Sequence, residues 1–177
     1  SGAETGEGWR GGWLVVAVTG VALAQNPLSA DLKAFWGNVK NNVVRAAEKM
    51  PEENYSFKPV PEVRTYGQIL GHIADTHYMI CSTVLGEKRE PAGVEKTKTS
   101  KADLVAALKD SVSYCDKAYE GLTDATAAQM VKMFGRERSR LGALNMNASH
   151  SWEHYGNLVT YLRIKGIVPP SSEPRKK

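Results

Sequence analysis

Four long amphipathic segments, each closed by proline or glycine, constrain this chain more than any other feature. In the first, Leu32, Phe35, Trp36, Val39, Val43, Val44, Ala47 and Met50 recur at the three- and four-residue spacing that lines one face of a helix. Asn26-Pro27-Leu28-Ser29 reads as the turn and cap before it, so the first helix is expected over Ala30–Met50, stopping at Pro51. Thr65 and Gln68 have capping-box spacing, in which each side chain satisfies the other residue's backbone N–H, and the apolar run Tyr66–Leu85 then ends at Gly86. Ser100, with Asp103 after it, opens a third helix whose stripe of Leu104, Leu108, Val112, Cys115 and Tyr119 lasts until Gly121. The fourth runs from near Leu141 to Lys165, with Gly166 as a left-handed stop and Pro169-Pro170 barring continuation.

No strand pattern competes with these helices, so the expected fold class is all-α, an antiparallel four-helix bundle. The connections are Pro51–Arg64, which holds three prolines, the polar loop Glu87–Thr99, and Thr123–Arg140, read as a helical turn around Ala125–Met133 followed by a charged loop. With 177 residues, 42% of them hydrophobic, one core suffices without staples or a structural metal.

The start of the chain carries a separate signal. Arg10 precedes the uncharged run Trp13–Ala24, which ends in Ala22-Leu23-Ala24. That outline is a secretory signal peptide, too short to span a bilayer and furnished with small residues for cleavage. Residues 1–24 are therefore expected to direct export to the periplasm and then be lost, leaving residues 25–177 as a single domain with no stable membrane anchor. Were the segment an appended one, the same domain would be cytoplasmic. Cys81 and Cys115 fit either compartment: on two different helices, they are a disulfide if those helices lie side by side and two buried thiols otherwise. The net charge of +4 does not argue for a nucleic-acid partner, because charges of both signs are interspersed along most of the chain. The local clusters Arg136–Arg140 and Arg175–Lys177 read as solvated surface.

Two of the four histidines, His150 and His154, sit four residues apart on the fourth helix. They are about 40° apart around its axis and can direct imidazole nitrogens at one cation. Glu153 precedes the second histidine, so this is not the zinc-protease pattern, which places the glutamate after the first. A third ligand would come from His72 or His77, which lie about 140° apart on the second helix and do not both face one ion. Periodicity favours His77, near the middle of the stripe of Tyr66, Ile73, Ile80 and Val84. His72 lies off it; His150 and His154 are likewise displaced from the stripe of Leu144, Tyr155, Leu158 and Leu162 on their own helix, so a site built from all three would open at the flank of the bundle.

His72-Ile73-Ala74-Asp75-Thr76-His77, the His150/His154 pair, Tyr161-Leu162-Arg163 and Gly166-Ile167-Val168-Pro169-Pro170 together resemble the DinB-like (YfiT-like) superfamily. The likeness runs from about Leu28 to Pro170 and includes Phe57-Lys58-Pro59 and Pro61-Glu62-Val63-Arg64. It implies a four-helix bundle in which His72, His150 and His154 bind a divalent transition metal, nickel or zinc, and it moves the third ligand from His77 to His72. His77 then becomes a core or supporting histidine. Asp75, Asn147 and Glu153 are the further candidates to orient the ligands. Cys81, nearly opposite His72 on its helix, is expected to be neither ligand nor nucleophile. The resemblance further implies a small-molecule substrate, a homodimer, and chemistry of two kinds: transfer or isomerisation with a low-molecular-weight thiol such as bacillithiol, mycothiol or glutathione, or hydrolysis. The alternative it leaves open is a stress-related metal-binding bundle without turnover.

Overall fold

A computed structural model describes residue 2 and residues 25–174. Apart from Gly2, the export segment read over residues 1–24 lies outside the described residues, as does the basic tail 175–177. The main helices are α1 (Pro27–Lys49), α2 (Tyr66–Leu85), α4 (Lys101–Glu120) and α6 (Arg140–Ile164); the short helices α3 (Val94–Thr97) and α5 (Asp124–Ala127) lie between them. None of the described helices is long and apolar enough to cross a membrane.

Helix α1 begins at Pro27 rather than at Ala30. Proline lacks an N–H and has a fixed φ, both of which suit a first helical turn. The amides that follow find an acceptor across the fold: Asp124 takes Leu28 N at 3.1 Å and Ser29 N at 2.8 Å. Helix α2 has the expected Thr65/Gln68 capping box and ends at Gly86 with φ 72°, which permits the left-handed stop.

The order of contacts gives the helix directions. Tyr66 Oη donates to Ala46 O and Lys101 Nζ to Glu48 O, so α2 and α4 both start beside the end of α1 and run back along it. His77 meets Ser111 and Cys81 meets Cys115, so α2 and α4 advance together, a parallel pair that the long connection through α3 permits. Helix α6 returns against them: Tyr119 Oη donates to Leu144 O near its start, and Tyr161 Oη donates to Arg64 O near its end. This antiparallel crossing of α6 over α2 brings the middle of one to the beginning of the other, where the histidines sit.

Between the helices Trp36 stacks on Tyr119 with ring centroids 4.6 Å apart and meets His77 edge-on at 5.2 Å. Val39, Val43, Leu70, Ile73, Leu108, Leu144 and Leu158 around them are fully buried. Burial of each such side chain is worth roughly 2 kcal/mol. Cys81 and Cys115 are disulfide-bonded with Cα atoms 5.3 Å apart, which decides between the two readings of the pair and ties α2 to α4 through the core.

Two connections depart from expectation. Met130–Met133 (β1) and Arg136–Ser139 (β2) form an antiparallel hairpin where a helical turn and charged loop were expected. Phe134 and Gly135 make its two-residue turn with φ 51° and 74°, the positive values such turns require. Val131 and Met133 alternate inward on a strand too short for its pattern to register, and the charges of β2 mask the rest. The Glu87–Thr99 loop contains α3, held by contacts with α2 and not by helix propensity.

Candidate metal centre

His72 projects from the second turn of α2, and His150 and His154 from the middle of α6. Their Nε2 atoms converge. His72 Nε2 and His154 Nε2 each lie 3.1 Å from His150 Nε2, and the three ligand atoms fall within 4.8 Å of one another. Two nitrogens each about 2.1 Å from a common ion stand about 3.0 Å apart at a right angle and about 3.4 Å apart at the tetrahedral angle. The separations therefore suit a shared cation, and the three histidines could hold a metal ion.

The outer ring nitrogens support the same assignment. His72 Nδ1 faces Glu95 Oε2 at 3.2 Å, and His154 Nδ1 faces Asn157 Oδ1 at 3.2 Å. Both oxygens accept, so each imidazole donates from Nδ1 and keeps a lone pair on Nε2. Two lone pairs then point at His150 Nε2, where one proton can serve only one of them. A cation at the centre satisfies all three. His150 Nδ1 is buried with no hydrogen-bond partner among the described residues.

Electrostatics favour the neutral form of His72 and His150. Burial, then the neighbouring His154, His72 and Arg64, push His150 down to about 4. His72 is lowered by burial first, with Arg64 and His154 adding to it and Glu95 opposing. Burial alone would raise Glu95, but the Arg64 guanidinium, bonded from Nε to Glu95 Oε1 at 2.8 Å, and then His72 bring its carboxyl below the usual range. A cleft of about 700 Å³ runs along the outer face of α2 under residues 87–96, with His72 and Glu95 in its wall.

The other candidates lie elsewhere. Asp75 does not orient His72; its carboxylate accepts Val94 N at 2.8 Å and Glu95 N at 3.0 Å, holding the start of α3. That role is indirect, because α3 carries Glu95. His77 is buried between Ser111 Oγ and Ser151 Oγ, 2.9 Å from each, and burial lowers it to about 3. Asn147 is inside the core, donating to Tyr119 Oη at 3.1 Å, and touches neither His150 nor His154 through a hydrogen bond. Glu153 is exposed and has no hydrogen bond or ion pair among the described residues. Trp152 packs on Tyr155 and Phe35. Sequence reasoning missed Glu95, Arg64 and Asn157. Asn157 was within reach, three residues beyond His154 on one helix face; Glu95 sits in a polar loop with no local signal.

Comparison with known proteins agrees with this fold. Protein YjoA of Bacillus subtilis is 27% identical over 135 residues, 73% of this chain and 83% of that protein. A DinB-like protein of Bacillus cereus superposes with a TM-score of 0.70 at 18% identity, covering 80% of this chain and 95% of that one. A mutant of the mycothiol-dependent maleylpyruvate isomerase superposes with a TM-score of 0.63 at 14% identity over 73% of this chain and 60% of its own. The family model of the DinB superfamily matches residues 38–158, most of the bundle including all three converging histidines, and the chain belongs to that superfamily.

Proposed function

We propose that this protein is a metal-dependent enzyme that activates a nucleophile against a small electrophilic substrate, with His72, His150 and His154 as the metal ligands. The observation that carries the reading is the meeting of three Nε2 atoms with 3.1 Å between neighbours, their lone pairs turned inward. A divalent ion held there, zinc or nickel in keeping with an all-imidazole donor set, would supply Lewis acidity and lower the pKa of a coordinated nucleophile. The protein's own share is positional. Three neutral ligands leave the ion's charge unspent, Glu95 and Asn157 fix the imidazoles, and the cleft with His72 and Glu95 in its wall lies next to the cluster.

Two nucleophiles fit. A low-molecular-weight thiol is favoured by the likeness of fold to a mycothiol-dependent isomerase. Water is favoured by the Cys81–Cys115 disulfide, which suits an oxidising compartment poor in such thiols and accords with export. Elemental analysis of protein purified without a nickel column tests the site; one equivalent of transition metal, lost in His154→Ala, is the expected result. Turnover is then measured with an electrophile plus a panel of thiols, and with ester and amide substrates. Activity in one panel that disappears with the metal selects the nucleophile, whereas stoichiometric metal with no turnover in either leaves a metal-binding module.

A further inference from the structure

The start of α1, the hairpin and the start of α6 share one end of the bundle: Leu28 and Asp31 line the same groove as Ser139 and Leu141. That end carries the three most exposed large hydrophobic side chains among the described residues, Leu28 and Met130 at 58% and Phe134 at 56%. Phe134 occupies the hairpin tip at φ 51°, a conformation that residues with a Cβ rarely adopt, so the turn holds its ring out in solvent. Around it stand Lys132, Arg136 and Arg138, none of them in an ion pair among the described residues, and one acid, Glu137, across the ladder from Lys132.

We propose that this end of the bundle docks on an anionic phospholipid bilayer, with Phe134 and Met130 entering the headgroup boundary and Lys132, Arg136 and Arg138 facing the lipid phosphates. An apolar tip ringed by cations suits that boundary, where rings and thioethers leave water while the charges stay hydrated beside anions. A nucleic acid would use the charges but gain little from Met130 and Leu28.

The test is co-sedimentation of the full-length chain with vesicles of phosphatidylglycerol in phosphatidylcholine and of phosphatidylcholine alone. Binding to the anionic vesicles that weakens with salt is expected. Phe134→Asn should reduce it about tenfold, and Lys132→Ser with Arg136→Ser and Arg138→Ser by at least about tenfold. Asparagine suits the left-handed turn, so unchanged thermal unfolding of Phe134→Asn would separate loss of the ring from loss of the fold. Equal binding by the native and Phe134→Asn proteins would assign the affinity to residues 1–24 and overturn the proposal. Failure to bind either vesicle would do the same, as would charge-dependent binding of an oligonucleotide in its place.

Discussion

Glu95 Oε2 lies 3.2 Å from His72 Nδ1, on the ring nitrogen that does not face the other two histidines. A carboxylate there fixes the tautomer, so that Nε2 presents a lone pair, and it raises the basicity of the ligand. Glu95→Ala is expected to lower metal affinity between about tenfold and a hundredfold, measured by competition with a chromophoric chelator. Thermal stability of the metal-free protein should change little, because the Arg64–Glu95 pair is partly exposed and such pairs contribute under about 1 kcal/mol. A large fall in stability with unaltered metal affinity would make Glu95 a structural residue instead.

The two histidines of α2 should separate cleanly. His72→Ala removes a proposed ligand at the flank and is expected to abolish stoichiometric metal binding with little loss of folding stability. His77→Ala opens a cavity beside Trp36 and strips Ser111 and Ser151 of their shared partner, costing roughly 3 kcal/mol while metal binding persists. Urea unfolding and metal titration on both variants give the comparison.

The fold was legible because each main helix advertises its own limits. Thr65 with Gln68, Ser100 with Asp103, and the glycines at 86 and 166 mark boundaries through local chemistry, which the structure reproduces. The site was legible only in part. Periodicity ranks residues by burial, and it favoured His77 for the reason that makes His77 unavailable: both its nitrogens are consumed by core serines. A metal site open to solvent has to leave the apolar stripe, as the proposed ligand His72 does. Resemblance to a family supplied that residue; spacing did not. Glu95 and the function of Asp75 depend on where residues 87–99 fold back, a long-range event without local periodicity.

The disulfide offers a separate test of stability. Cys81 and Cys115 close a loop with a sequence separation of 34 and are fully buried. Loop-closure entropy alone puts its contribution at roughly 4 kcal/mol. Cys81→Ala with Cys115→Ala is expected to lower the melting temperature markedly while leaving metal stoichiometry at one, since neither sulfur approaches the histidine cluster. Mass spectrometry of the native protein under denaturing, thiol-blocking conditions should find no alkylated cysteine.

Acid should weaken the metal-free fold over a defined window. Burial holds His77 near 3 and His150 near 4, and lowers His72, against 6.5 in the unfolded chain. Between those values the unfolded chain binds protons that the folded one does not, so stability rises with pH there and falls as pH drops. The histidine contribution should be flat above about pH 7, decline from 6.5 through about 4 as His150 enters, and continue towards 3 for His77. His77 alone contributes a slope of about 1.4 kcal/mol per pH unit. Urea midpoints at a series of pH values check this, and His77→Gln should flatten the curve.

Gly71 supplies the most indirect prediction. A Cβ built on it would stand 2.6 Å from Glu95 Cα and 2.8 Å from Glu95 N, so the absence of a side chain lets α3 lie directly on α2. Asp75, one turn along, holds the two amides that open α3, and Arg64 holds its carboxylate. Together these place Glu95 on His72. Gly71→Ala should push α3 away and lengthen the Glu95–His72 contact, reducing metal affinity in the manner of Glu95→Ala although residue 71 has no side chain to offer the ion. Combining the two substitutions should then add little to either alone, since both act through one contact. Metal affinities of the two single variants and the double variant make the cycle, and additive losses would show that Gly71 acts on the site by another route.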